Sequence, residues 1–486
     1  MDNISSGMET DHKANRERLR STLRCSQQEA AASATMTGTS DNFLNAFAIY
    51  LQASPVQMGW LTALPQLFGA ILQIISVWLG NHIPRKPLVI YTALIQSLLV
   101  AGMGILALLV GAGYLAEDAV IVLILLAIGY FACTNTIQPH WRAWMGGLVP
   151  GSRRGIFFAT RTRLTMATSL LVFLVGGSVL SIGDANNQAW GGFAFLFFAA
   201  ALGRFCSSVL FRRMHDPNPD AGRNEMRLKD SLRHIGEALR EPAFRNYSLF
   251  VACMQGAAAL SAPFFAVYQL SDLQFSYLQF SLSSMTSIAT QFLMLRYWGK
   301  FSDRFGNRFI MVIASCLLPI VPLLWLVSPH FGYIILVQAV SGIAWSGFTL
   351  STSNYLYDIR PHHTNFALYA AVQSGSHAFM VFCGGLMGGY LARHTPEIAE
   401  AIADFWQPRS VLYIVFISSA LIRTAVALGF LPRLHETQIR KRPKVLEVIF
   451  RVARFNAVSG VVIDWLSVTR KDSQDESHSR SEGDEQ

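Results

Sequence analysis

Long apolar stretches alternate with short polar connections along most of the chain. A membrane-spanning helix needs about 20 mainly apolar residues, and about twelve stretches meet that length. Charged residues make up only 14% of the sequence, against about 25% in soluble domains, which argues against a soluble protein. The pattern predicts an all-α integral membrane protein with spans at 29–52, 56–79, 87–111, 119–141, 160–182, 190–211, 244–269, 275–297, 309–328, 331–356, 365–389 and 409–431.

Lys and Arg are concentrated in every second connection and in both tails. The remaining connections hold only Arg393 and Arg409, beside acidic residues. Because cytoplasmic loops carry an excess of Lys and Arg, both termini are expected in the cytoplasm, and a bacterial inner membrane is the expected location. This topology accounts for the formal net charge of +9. The lipid bilayer is therefore an expected partner, and nucleic acid is not.

Five regions are predicted from these patterns. They are a cytoplasmic tail at 1–28, a six-helix bundle at 29–211, a cytoplasmic linker at 212–243, a second six-helix bundle at 244–433 and a cytoplasmic tail at 434–486. The linker and the last tail each carry apolar residues at helical spacing, which predicts amphipathic surface helices. After Val468 the Ser-, Glu- and Asp-rich sequence predicts disorder.

The two bundles are predicted to be diverged repeats. Gly80 and Gly299 open corresponding connections (299 − 80 = 219), and Asn135 corresponds to Asn354 (354 − 135 = 219). The sequence Arg-Met-His-Asp from Arg213 is followed 220 residues later by Arg-Leu-His-Glu (433 − 213 = 220). A common offset indicates pseudo-symmetric halves around a central cavity.

The connection after the eighth span reads Gly-Lys-Phe-Ser-Asp-Arg-Phe-Gly-Asn-Arg, from Gly299 to Arg308. A charged hairpin between membrane helices would have a similar composition, but the order of residues resembles the G-x-x-x-D-R-x-G-x-R signature of the major facilitator superfamily. The resemblance implies two six-helix bundles that work by alternating access. The first-half connection, 80–87, lacks the Asp, so the resemblance implies a cytoplasmic latch that depends on the second copy. The gating residues implied are Gly299, Asp303, Arg304, Gly306 and Arg308.

That latch has predicted contacts. Asp303 is expected to face the N-terminus of the helix that begins near Asn365, where the helix dipole favours an anion by roughly 0.3–1 kcal/mol. Arg304 and Arg308 are expected to bind helix C-terminal carbonyls or acidic neighbours such as Asp358.

Asp41 is the leading candidate for proton coupling or substrate binding, since no comparable carboxylate is found near the middle of another span. A lone charge in hydrocarbon costs at least about 2.5–3.5 kcal/mol, so such a group faces a cavity or a partner and can exchange a proton. An arginine partner, or a displaced first span, would give it a structural role instead. Further candidates of the same kind are Asn42, Asn45, His377 and Gln373. For Asn42 and Asn45 the alternatives are gating hydrogen bonds or ordinary contacts between helices, and for His377 and Gln373 the alternative is interhelical hydrogen bonding.

If the family arrangement holds, the first, fourth, seventh and tenth spans line the cavity. The candidates there are Asn135, Gln138, Trp141, Arg142, Gln255, Tyr268, Trp345, Asn354 and Tyr355. Arg142 is more simply explained as a headgroup anchor, and so are Arg204 and Arg423 near the ends of peripheral spans.

The function predicted is secondary active, proton-coupled transport of a small organic solute by a monomer. The alternatives are an efflux antiporter of drugs or metabolites, a lipid flippase, and a non-transporting assembly, delivery or sensor protein of the same fold. Gly176-Gly177 lacks the Gly-Pro element of many drug antiporters in the superfamily, which disfavours the first alternative. No nucleophile–base pair, P-loop or metal-ligand spacing is evident, so neither an enzyme, a cofactor nor a metal is expected.

Overall fold

A computed structural model of the chain describes residues 2–79, 83–114, 118–149, 154–216, 240–359, 366–401, 403–404 and 406–434. Within them lie twelve helical units, numbered here in the order of the predicted spans. They are α1 (Asp2–Tyr50), α2 (Pro55–Leu79), α3 (Arg85–Gly111), α4 (Ala119–Leu148), α5 (Arg154–Ala185), α6 (Ala189–Arg213), α7 (Pro242–Asp272), α8 (Tyr277–Phe305), α9 (Asn307–Leu324), α10 (Phe331–Ile359), α11 (Phe366–Ala401) and α12 (Tyr413–Phe430).

Eight of these units are long and apolar enough, over their described residues, to cross a membrane. The other four are α1, α2, α8 and α11. α1 and α8 carry more hydroxyl, amide and charged side chains than their neighbours, and both place some of these on the central cavity. The chain is an integral, multi-pass, all-α membrane protein, as its apolar pattern predicted.

Two units are interrupted by proline. α7 consists of the helices Pro242–Ala259 and Ala262–Val267 and a closing π turn, and α9 consists of Asn307–Leu317 and Ile320–Leu324. Pro263, Pro319 and Pro322 lie at or just after these breaks, because a proline ring removes a backbone donor and clashes with the preceding turn.

The structure moves two predicted boundaries. α1 begins at Asp2, so the segment predicted as a tail continues the first helix, and Thr22 and Ser26 of that segment are buried. α8 runs on to Phe305, so most of the signature, which was expected to form a connection between two spans, is helical. Gly306 alone separates α8 from α9, with a φ of +92° that favours glycine.

The two halves, α1–α6 and α7–α12, use the same device to start their second helix. Ser54 and Gln57 exchange side-chain and backbone hydrogen bonds of 3.3 and 2.8 Å before α2. Ser276 and Gln279 repeat this capping box before α8, at 3.2 and 3.0 Å. The predicted linker helix and C-terminal helix fall mainly at 217–239 and 435–486, outside the described residues, and stay predictions.

The packing of the halves differs between the two ends of the molecule. The end that contains Gly306 is called here the signature end, and the end that contains Ser54 and Ser276 the opposite end. At the opposite end one apolar core joins both halves, with Phe47 and Phe193 from the first and Trp325 from the second. At the signature end the described core residues form clusters that each belong to one half. The described residues therefore close the molecule at the opposite end and leave it open at the signature end.

Candidate functional site: a cavity between the halves

A cavity of about 490 Å³ lies between the two halves. Its wall combines aromatic rings, amides and hydroxyls, supplied mostly by α1 and α2 of the first half and by α7, α8, α9 and α10 of the second. The lining residues used below are Asp41, Asn42, Asn45, Gln255, Phe265, Trp325, Trp345 and Arg423. The volume and the mixed wall suit a small organic molecule.

Asp41 lies on this wall. One carboxylate oxygen accepts a hydrogen bond of 2.8 Å from the hydroxyl of Tyr130 on α4, and more than a third of the residue is exposed. Tyr130 itself is 1% exposed. Asp41 therefore faces an open cavity rather than hydrocarbon, and a buried tyrosine fixes its orientation.

Four further residues predicted from the sequence also line the cavity. They are Asn42, Asn45, Gln255 and Trp345. Asn42 donates to the Gly38 carbonyl oxygen, one turn earlier on α1, at 2.9 Å. The wall therefore contains predicted residues from three of the four spans that were expected to form it.

The candidates on α4 lie away from this wall. Asn135 donates to the backbone of its own helix at 2.9 Å. The exposed pair Gln138 and Arg142 form a hydrogen bond of 3.3 Å with each other. Trp141 is covered by the guanidinium of Arg161, 4.2 Å from its ring centre. α4 contributes to the site through Tyr130, which the sequence analysis did not single out.

The remaining candidates pack elsewhere in the second half. Gln373 donates to the Tyr247 hydroxyl at 3.0 Å, and His377, one turn further along α11, is also absent from the cavity wall. Tyr355 packs against Tyr247, with ring centres 5.3 Å apart, and the neighbouring Asn354 is half-buried. Tyr268 forms a hydrogen bond of 2.9 Å with Tyr413 near the opposite end.

The signature residues surround the Gly306 turn. Gly299 lies inside α8 with open space around it, and Asp303 is exposed. The guanidinium of Arg304 lies 5.2 Å from the ring centre of Phe305. Arg308 approaches the Leu431 carbonyl oxygen just beyond α12 at 3.5 Å. Asn365 and the side chain of Asp358, the other predicted latch partners, lie outside the described part of the chain.

The sequence analysis missed a second deep carboxylate. Glu29 on α1 is 1% exposed and accepts hydrogen bonds from Arg161 at 2.7 Å and Ser207 at 2.9 Å. Arg204 lies 3.7 Å from the Glu29 oxygen that accepts from Ser207. Glu29 stands at the first residue of a predicted span, 29–52, and its burial was not predicted.

The two late arginines are buried, at 5% for Arg204 and 2% for Arg423. The prediction that they anchor headgroups is therefore wrong. Both guanidiniums instead make hydrogen bonds within the protein. The sequence signal that sets these two arginines apart from headgroup anchors is their equivalent placement in the two halves, 219 residues apart (423 − 204 = 219).

Comparison with known proteins identifies the family. The family model of the Major Facilitator Superfamily matches residues 30–297 and 256–469. A search of curated proteins finds no match. Similar solved structures include the nucleoside transporter NupG (TM-score 0.61, 13% identity, 86% of this chain and 98% of that one) and a D-xylose–proton symporter (0.61, 14%, 87% and 98%). A bacterial homologue of the human lysosomal transporter Spinster, in an inward-facing and occupied conformation, is also similar (0.59, 12%, 85% and 96%).

Proposed function

Since the chain belongs to the major facilitator superfamily, we propose that it is a secondary transporter that carries a small organic solute by alternating access. The observation that carries this proposal is the cavity shared by two halves whose described residues form a common core at the opposite end and separate cores at the signature end. Basic connections predict that the signature end faces the cytoplasm. The described state is then inward-open, and rocking of the halves would expose the same cavity to the other side.

Proton coupling through Asp41 is part of the proposal. The carboxylate is accessible from the cavity in the open state, and closure of the signature end would remove water from it. Loss of water favours the neutral form of a carboxylate, so closure would favour a bound proton. Tyr130 supports this role because its hydroxyl holds one oxygen of Asp41 at 2.8 Å.

The test begins with a ligand screen, because a ligand that binds the folded state raises its thermal stability in proportion to its affinity. Purified protein is screened against metabolites and drugs at mildly acidic and mildly alkaline pH. Compounds that stabilise the protein are then offered to proteoliposomes with an imposed proton gradient. Accumulation that a protonophore abolishes is the expected result.

Asp41→Asn separates coupling from binding. This variant is expected to exchange labelled solute across the membrane but to lose accumulation driven by the gradient. Asp184→Asn is the matched control, because Asp184 is an exposed carboxylate near the C-terminus of α5, at the opposite end of the molecule. If Asp41→Asn still accumulates solute with the gradient, Asp41 is structural. If no screened compound crosses the membrane, a non-transporting function is favoured.

A further inference from the structure

Arg204 on α6 and Arg423 on α12 hold equivalent positions in the two halves, but their surroundings differ. In the first half, Glu29 compensates the charge of Arg204 across 3.7 Å. Ser207 reinforces the pair by accepting from Arg204 at 3.0 Å and donating to Glu29 at 2.9 Å. The first half thus supplies a carboxylate to its own buried arginine.

The second half supplies only neutral groups. Arg423 donates to the Leu318 carbonyl oxygen at 3.0 Å and to the Ser261 hydroxyl at 3.1 Å. Among the described residues, no Asp or Glu pairs with its guanidinium. Its Nε has no acceptor there, which is equally true of the Nε of Arg204. The residue 219 positions after Glu29 is Ser248, which cannot carry the missing charge (248 − 29 = 219).

The neutral contacts explain where Arg423 lies but not why it is charged. The Leu318 carbonyl would normally accept from the backbone of residue 322, but Pro322 has no N–H to donate. Ser261 lies at the break in α7. Arg423 therefore joins two interrupted helices, and a neutral amide could make the same two donations. A buried guanidinium that pairs with no carboxylate costs several kcal/mol, and an anionic partner bound beside it would offset this cost.

The position of Arg423 identifies that partner. Arg423 and Asp41 are the two charged residues on the wall of the cavity, and they come from different halves. The same wall carries the rings of Phe265, Trp325 and Trp345. Building on the transport function proposed above, we propose that Arg423 binds the carboxylate of an organic anion whose apolar body packs against these rings.

Charge balance extends the inference to the coupling step. The empty cavity carries one negative and one positive side chain, so its net charge is zero. A bound monoanion would leave the cavity negative unless Asp41 takes up a proton at the same time. The loaded cavity, with a neutral Asp41 and an ion pair at Arg423, is again uncharged and can close without burying net charge. The substrate class inferred is thus a monocarboxylate that moves together with one proton.

The test compares acids with their uncharged amides, which have nearly the same shape. The probes are benzoate, phenylacetate, indole-3-acetate, hexanoate and lactate, each paired with its amide, and binding to the full-length protein in nanodiscs is measured by calorimetry. At least one acid is expected to bind about tenfold more tightly than its amide, as a charge-assisted hydrogen bond supplies more than about 1.4 kcal/mol. Arg423→Gln is expected to bring this ratio close to one, and Arg423→Lys to keep part of it.

Two further variants control for folding. Arg204→Gln removes the equivalent buried guanidinium, which does not line the cavity, and is expected to keep the acid preference. Ser261→Asp places a carboxylate beside Arg423 without removing the arginine, and is expected to abolish the preference. Ser261→Asp and Arg423→Lys keep the proposal testable if Arg423→Gln does not fold.

Three results would overturn the proposal: no acid binds better than its amide, no acid of the panel binds, or the preference survives in Ser261→Asp or Arg423→Gln. Proteoliposome uptake separates this failure from failure of the transport function. If neutral solutes bind and cross the membrane, the proposed transport function is supported and the anion site is refuted. If acids bind at Arg423 but never cross the membrane, the anion site is supported and the transport function is refuted.

Discussion

The contact between α2 and α11 at the opposite end depends on glycine. A methyl group added at Gly59 would stand 2.6 Å from the carbonyl oxygen of Gly385 and 2.9 Å from the Cα atom of Gly389. Both neighbours are backbone atoms, so they can yield only if the helices separate. Small residues allow this kind of close approach between membrane helices.

Gly59→Val should therefore disfavour the state that is closed at the opposite end. Overpacking a tight contact costs about 1–3 kcal/mol. The added side chain meets α11 only while the two halves touch, so the cost falls on the inward-open state alone. A difference of that size changes the ratio of two states by about 5- to 150-fold. The molecule is expected to shift towards the state that is open at the opposite end.

The assay measures both ends of the molecule by double electron–electron resonance. Labels at Ser54 and Glu397, which are exposed at the opposite end, report the separation of the halves there. Labels at Arg212 and Arg433, which are exposed at the signature end, report the separation at that end. Gly59→Val is expected to lengthen the first distance and shorten the second, because rigid halves that part at one end approach at the other.

Gly191→Val is the control, since a side chain at Gly191 on α6 would enter open space, and wild-type distances are expected from it. Gly59→Ala, with its smaller group, should give an intermediate shift. If folded Gly59→Val keeps wild-type distances at both ends, the contact between α2 and α11 does not gate the cavity and the reasoning is refuted.

Three other substitutions test contacts within and between the two halves. Gly177→Leu should separate α5 from α8 at the opposite end, since a methyl group at Gly177 on α5 would stand 3.0 Å from the carbonyl oxygen of Tyr277 on α8; unchanged label distances would contradict this. Glu29→Gln should lower the free energy of unfolding by about 3–5 kcal/mol, because it leaves buried guanidinium charge uncompensated. A decrease below about 1 kcal/mol would argue that the ion pair does not stabilise the fold. Arg85→Gln should destabilise the signature end of α3 similarly, since the buried Asp216 loses its 2.5 Å partner; hydrogen exchange there should rise.

Sequence patterns were sufficient for the architecture. Apolar length predicted the helices, the offset of about 220 residues indicated the repeat, and the signature identified the family, because hydrocarbon allows few alternatives to a bundle of helices. The depth of Asp41 in its span selected it from the pattern, because a charge there tends to face a cavity. Gln255 and Trp345 were selected through the family resemblance, which implies that the seventh and tenth spans line the cavity.

Only the tertiary structure decided which arginine carries charge into the site. Arg204 and Arg423 stand at equivalent positions, and nothing local distinguishes them. The difference arises because α1 places Glu29 beside Arg204, whereas two helix breaks place only a carbonyl and a hydroxyl beside Arg423. Which end is closed was likewise undetermined by the pattern, since it depends on the faces that the halves turn towards each other. Periodicity locates a helix along the chain, but only packing fixes the neighbours that each of its faces meets.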